Sequence, residues 1–203
     1  MKLVSLAVFT VVLLASAAYA NGSIEVAGGT ANFSVGTNIP AVTIHGKSKA
    51  LTGTATVNRS GDTLTIENAD AKIPVVSLTT GMGLRDNHMR KLVFTSPNGE
   101  LSDLSYRSGK TECTIAKNND GGSTCLLKGE LAIRGVARPL SLTLNLRDDG
   151  SGRFRVAGSG AVRLTDYGIE PPSQLGVRVD EQVQLRFEFS VTTSTAMSAA
   201  RGQ

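Results

Sequence analysis

The dominant period in this chain is two. Leu140, Leu142, Leu144 and Leu146 alternate with Ser141, Thr143 and Asn145, and Val183, Leu185, Phe187, Phe189 and Val191 alternate with Gln184, Arg186, Glu188 and Ser190. Shorter stretches repeat the pattern: Phe33 and Val35, Leu64 and Ile66, Leu127, Leu131 and Ile133, Phe154 and Val156, Val162 and Leu164. Successive side chains of a strand point to opposite faces, so each run predicts a strand with one apolar and one polar face, as in antiparallel sheets. Turn-forming clusters separate the runs at Arg59-Ser60-Gly61-Asp62, Ser96-Pro97-Asn98-Gly99, Asn118 to Ser123, Asp148 to Gly152 and Gly158-Ser159-Gly160. About eight strands result. The one helix expected is short, within Thr79 to Leu92. The fold class is all-β. Successive hairpins, the absence of Trp and an interior set of Leu, Val and Ile favour an antiparallel β-barrel of about eight strands over a sandwich. A barrel of that size is either filled by side chains or holds one small ligand. Polarity alone assigns Phe33, Val35, Leu64, Ile66, Leu142, Leu144, Phe154, Val162, Leu185, Phe187 and Phe189 to the interior.

The ends read differently. Met1-Lys2 is a short basic start, Leu3 to Ala15 is an apolar run broken only by Ser5 and Thr10, and Ala18-Tyr19-Ala20 is an A-x-A cleavage site. This predicts a signal peptide over residues 1–20, cleaved after Ala20, and a periplasmic or secreted protein. No other segment is apolar enough to span a membrane as a helix. A single domain is expected over residues 21–191, and the small, polar residues 192–203 predict a disordered tail. The net charge of +4 comes from scattered rather than clustered basic residues, which gives no case for nucleic acid. Cys113 and Cys125 flank the 118–123 turn cluster about equally. Across a hairpin they would face each other, predicting a structural disulfide in an oxidising compartment.

Chemistry-bearing residues concentrate in one stretch. After the apolar run Ile73-Pro74-Val75-Val76-Ser77-Leu78 come Thr80-Gly81-Met82-Gly83-Leu84-Arg85-Asp86-Asn87-His88-Met89-Arg90-Lys91. Motifs of known chemistry are absent: no G-x-S-x-G elbow, no phosphate-cradling loop, no paired carboxylates. The two histidines, His45 and His88, have no H-x-H or H-x-x-x-H spacing, so neither a metal nor a cofactor is expected. The chain reads as non-enzymatic; an enzyme using Arg85, Asp86 and His88 is the contrary possibility. Arg134-Gly135 and Arg138-Pro139 read as a hairpin connection or, alternatively, as a basic rim.

Three stretches in order carry a resemblance. The first is Ser77-Leu78-Thr79-Thr80-Gly81 running into Arg85-Asp86-Asn87-His88-Met89-Arg90. The second is Leu127-Lys128-Gly129-Glu130-Leu131-Ala132-Ile133-Arg134-Gly135-Val136-Ala137-Arg138-Pro139-Leu140. The third is Leu164-Thr165-Asp166-Tyr167-Gly168-Ile169 followed by Val179 to Leu185. Together they resemble the YceI family of exported lipid- or polyisoprenoid-binding proteins. The resemblance implies an elongated, lipocalin-like barrel whose interior holds an isoprenoid or similar long-chain amphiphile. A phosphate head would need donors at the pocket mouth, and Arg85, His88 and Arg90 are the candidates, Arg by bidentate charge-assisted bonds. The alternative is structural: Arg85 and Asp86 pair with each other or with backbone to fix a crossing between strands. At the level of the whole protein, the alternative to a lipid carrier is a filled barrel that binds a protein partner and holds no lipid.

Overall fold

The structure is a computed structural model of the 203-residue chain and describes residues 20–26, 28–60, 63–114, 122–150, 153–192 and 194–195. Residues 1–19, which carry most of the expected leader, residues 118–121 of the turn cluster between the cysteines, and residues 196–203 of the expected tail lie outside the described residues.

The chain forms β1 (Ala20–Val26), β2 (Gly29–Thr37), β3 (Thr43–Ser48), β4 (Thr52–Ser60) and β5 (Thr63–Ile73). A strap follows: a 3-10 turn Val75–Ser77, helix α1 (Gly83–Met89) and a π-helical turn Arg90–Phe94. Then come β6 (Leu104–Ser108), β7 (Thr111–Thr114), β8 (Gly122–Ile133), β9 (Val136–Gly150) and β10 (Arg153–Arg163). After a 3-10 turn Leu164–Tyr167, the chain continues through β11 (Ser173–Gln174), β12 (Val177–Thr192) and β13 (Ser194–Thr195).

All these strands pair antiparallel in one sheet, in the order β13-β1-β4-β5-β6-β8-β9-β10-β12-β2-β3, with β7 on β5 and β11 on β12. The sheet curls into a half-barrel. At one end of the molecule its first strand reaches round to its far side, where Val26 of β1 packs with Val156 of β10 and Val191 of β12. Elsewhere the gap is crossed by the strap, which leaves β5 and bridges to edge strand β3 through paired backbone bonds between Thr79 and Lys47, both 2.9 Å.

The all-β antiparallel class and, among the described residues, one short α-helix within Thr79 to Leu92 match the sequence reading. The strand count does not: thirteen strands occur among the described residues rather than about eight. The additions are of two kinds. β7, β11 and β13 have four residues or fewer, too short to show an alternation. β1, β3 and β4 are built largely from small, polar and charged residues, Thr, Ser, Asn, Ala and Gly among them, which blur it. One merger goes the other way. Gly158-Ser159-Gly160 is no turn but the middle of β10, joining what read as two short runs. At the C-terminal end, β12 extends through Thr192, and Ser194 and Thr195 pair with β1, so pairing continues past the expected start of the tail.

Cys113 and Cys125 are disulfide-bonded with Cα atoms 5.1 Å apart. The bond links neighbouring strands, but the ladder partner of Cys113 is Leu64 on β5 and that of Cys125 is Leu144 on β9. Constraining a separation of 12 residues is worth on the order of 3 kcal/mol in the chain-entropy account.

Candidate functional site: an apolar lumen with a charged strap

The inward faces of the strands surround a cavity of about 1090 Å³. That is at the upper end of small-ligand sites, which run to roughly 1,000 Å³. All eleven residues assigned to the interior by alternation line it: Phe33, Val35, Leu64, Ile66, Leu142, Leu144, Phe154, Val162, Leu185, Phe187 and Phe189.

The lumen stays open because its largest rings lie flat against the wall. Phe187 on β12 faces Gly158 on β10, and Phe33 on β2 faces Gly46 on β3, each pair in direct register. A Cβ added at Gly158 would sit 1.9 Å from the Phe187 Cζ, and one at Gly46 would sit 2.2 Å from the Phe33 Cζ. The ring therefore occupies the space the glycine leaves, an aromatic lid over a glycine of the kind that pins strand register. Tyr106 does the same over Gly129, where an added Cβ would meet its hydroxyl at 2.6 Å. The Tyr106 hydroxyl donates to the Leu127 and Leu140 carbonyls at 3.2 and 3.3 Å, and burial pushes the phenol up to about 12. It stays neutral at any physiological pH.

The strap divides the clustered polar residues by role. Asp86 is buried, 6% exposed. Its carboxylate accepts from the Thr79 hydroxyl (2.7 Å), the Thr80 amide (2.7 Å) and the Thr80 hydroxyl (2.5 Å). Burial works against the charge, but the Thr80 and Thr79 hydroxyls, the Thr80 amide and the nearby Arg90 outweigh it, holding the acid below its ordinary value. Arg90 donates to the carbonyls of Val76 and Leu78 at 3.2 and 3.1 Å and to Asn87 at 3.2 Å. It ties α1 to the 3-10 turn and is not part of the cavity wall. Among the described residues Arg85 is held by Thr80, Nε to its hydroxyl and one terminal nitrogen to its carbonyl, both at 2.8 Å. Arg85 and His88, one helical turn apart, both line the cavity.

Two of the three head-group candidates thus stand at the lumen, Arg85 and His88. The third, Arg90, is engaged with backbone. Arg85 and Asp86 do not pair directly; both bind Thr80, which accepts from one and donates to the other. Asp86 lies outside the cavity wall, so Arg85, Asp86 and His88 do not converge there. Arg134 and Arg138 donate to the carbonyls of Gly168 and Asp166, tying the β8–β9 hairpin to the turn after β10. His45 is exposed on β3. Among the described residues no three His, Cys, Asp or Glu side chains cluster as metal ligands, and no helix is long and apolar enough to cross a membrane.

Several residues of the site escaped sequence reasoning. The disulfide faces the lumen, since both cysteines line it. Parity carried the signal: Cys125 is in phase with Leu127, and Gly158 with Phe154, Val156 and Val162. The partners Thr79 and Thr80 carried none, because a Thr that ligates a buried carboxylate looks like any other Thr.

A model of the YceI-like domain matches residues 23–191. The chain belongs to the YceI-like family. No curated protein sequence matches it. Among solved structures it resembles a polyisoprenoid-binding domain from Saccharophagus degradans implicated in plant cell wall breakdown, with TM-score 0.59 and 15% identity over 87% of this chain and 100% of that one. It also resembles BcnA of Burkholderia cenocepacia, with TM-score 0.55 and 14% identity over 80% and 96%. The YceI protein of Campylobacter jejuni gives TM-score 0.56 and 17% identity over 77% and 88%. At these identities the likeness is one of fold. This YceI-like chain shares the curled antiparallel sheet, and its disulfide fits an oxidising compartment.

Proposed function

We propose that this protein is an exported, non-enzymatic carrier that sequesters a polyisoprenoid or another long-chain amphiphile in its lumen, with the polar head at Arg85 and His88. The observation that carries the reading is the open apolar cavity of about 1090 Å³ whose wall includes a preorganised arginine. Apolar burial supplies the affinity, about 0.8 kcal/mol per CH₂ before ordering costs, so few polar contacts are needed. Thr80 fixes two nitrogens of Arg85, which lowers the entropy lost when the remaining one meets an anionic oxygen. The solved neighbour described as polyisoprenoid-binding supports the ligand class, and the apolar leader and the disulfide support export. An open lumen speaks against the filled barrel.

Organic extraction and mass spectrometry of protein purified from its native compartment test the proposal. A single lipid at about one per chain is expected. Protein that carries no lipid and takes up no added polyprenyl lipid overturns it.

A further inference from the structure

A lumen ligand that is insoluble in water has to be collected somewhere, and the residues around the cavity mouth point to where. Nine large apolar side chains are exposed among the described residues, and five of them also line the cavity: Val42, Met82, Leu84, Leu92 and Leu175. Side chains that are both exposed and cavity-lining mark its opening, so these residues form a rim and are not scattered over the surface. Single exposed apolar residues need no explanation, whereas a contiguous rim does.

Leu175 is the most telling. It is 97% exposed and sits with φ +51° beside Gly176 (φ +80°) in the tight turn between β11 and β12. Such turns favour Asn or Asp at that position, because a branched apolar side chain gains nothing there and adds strain. The same turn recurs between β8 and β9, where Arg134 (φ 52°) precedes Gly135 (φ 76°). That arginine is polar and hydrogen-bonded to Gly168. Leu175 has neither advantage in water. Its hairpin is fastened rather than loose: Asn38, from the loop that also carries Val42, donates to the Gly176 carbonyl at 3.0 Å and accepts from the Arg178 amide at 2.8 Å.

Charge selects the partner. Across residues 75–94 the only carboxylate is Asp86, which is buried and satisfied inside the strap. The same segment carries three basic residues, Arg85, Arg90 and Lys91, against that one acid, and Lys91 is exposed. Apolar side chains at a rim flanked by cations match the interface of an anionic bilayer, where the former enter the acyl boundary and the latter meet lipid phosphates.

We propose that the mouth of the lumen docks on an anionic lipid bilayer through Leu175, Met82 and Leu84, with Lys91 on lipid phosphates, so that ligand passes between membrane and lumen without crossing water. This rests on the carrier reading above. The test is flotation of the purified protein with vesicles of phosphatidylglycerol and phosphatidylethanolamine against pure phosphatidylcholine, beside loading of the lumen with an apolar fluorescent dye in solution. Salt-sensitive flotation on the anionic vesicles is expected. Leu175→Asp combined with Leu84→Asp should lower it about tenfold or more, the worth of one or two buried leucines, with the circular-dichroism spectrum unchanged. Leu126→Asp, on an exposed site away from the lumen, should change neither. Dye loading without flotation, equal loss in the Leu126 variant, or a dimer that Leu175→Asp dissociates would each overturn the docking proposal. Flotation without dye loading would uphold the docking surface and overturn the carrier instead.

Discussion

The wall of the lumen and the strap across it are built on opposite rules. In the wall a residue's role follows from parity along its strand, because the sheet sends alternate side chains to opposite faces. In the strap, proximity in sequence says little. Arg85, Asp86, His88 and Arg90 fall within six positions, yet Asp86 is locked to Thr79 and Thr80, Arg90 to the carbonyls of Val76 and Leu78, and only Arg85 and His88 reach the lumen. The wall supplies volume and apolar surface, while the strap supplies charge and spends half of that charge on holding itself in place.

The comparison breaks first at Asp86 if the strap does not depend on it. Asp86→Ala leaves the Thr80 amide without its buried acceptor and Arg90 without its nearby countercharge, an expected loss of about 3–5 kcal/mol in chemical denaturation. Wild-type stability carries a pH signature of the same group. Its folded pKa lies below the ordinary 3.8, so its contribution is complete above that value and is lost as the pH falls through the folded one. Asp86→Asn should flatten the stability profile below about pH 4. A profile that keeps its slope would remove Asp86 from this role.

A smaller effect is expected in the wall. Gly158→Ala pushes a methyl group into the Phe187 ring, which has to swing into the lumen. Overpacking of this kind costs about 1–3 kcal/mol. The distinguishing readout is capacity: the variant should bind less of a long-chain probe at saturation, whereas Asp86→Asn should bind the normal amount once folded. Undiminished capacity in Gly158→Ala would mean that the rings do not set the open volume.

The two regions are also unequally legible in the amino-acid sequence. The alternation of Leu140 to Leu146 and of Val183 to Val191 reveals the fold class and places all eleven apolar interior residues, since period two survives whatever the strand order. It fails where strands are short, as at Ser173–Gln174, or where glycine imitates a turn, as at Gly158. A glycine serving as the seat of an aromatic ring is indistinguishable from a turn glycine until the neighbouring strand's register is known. In the strap the short helix is legible but the division of labour is not, because it depends on which side chain finds Thr80 and which finds a carbonyl. Leu175 has no periodic signal at all; only its backbone conformation and exposure reveal it.

Two arginines five residues apart, Arg85 and Arg90, divide ligand binding from fold stability. Arg85→Met keeps the aliphatic stem and removes a guanidinium that faces the lumen, so affinity for an anionic-headed amphiphile should fall about tenfold, near 1.4 kcal/mol, with stability falling by about 1 kcal/mol or less through the two lost bonds to Thr80. Arg90→Met removes two hydrogen bonds, to the Val76 and Leu78 carbonyls, that hold the end of α1 to the segment before it, and a third to Asn87, so stability should fall by about 1–2 kcal/mol with affinity nearly intact. Isothermal titration with a polyprenyl phosphate and with the matching alcohol separates the effects further. Loss of the arginine at 85 should narrow the gap between the two ligands, because the alcohol offers no charge to lose. If instead the two arginines prove interchangeable in both assays, charge near the strap acts only as a diffuse field and the lumen selects its ligand by length and shape alone.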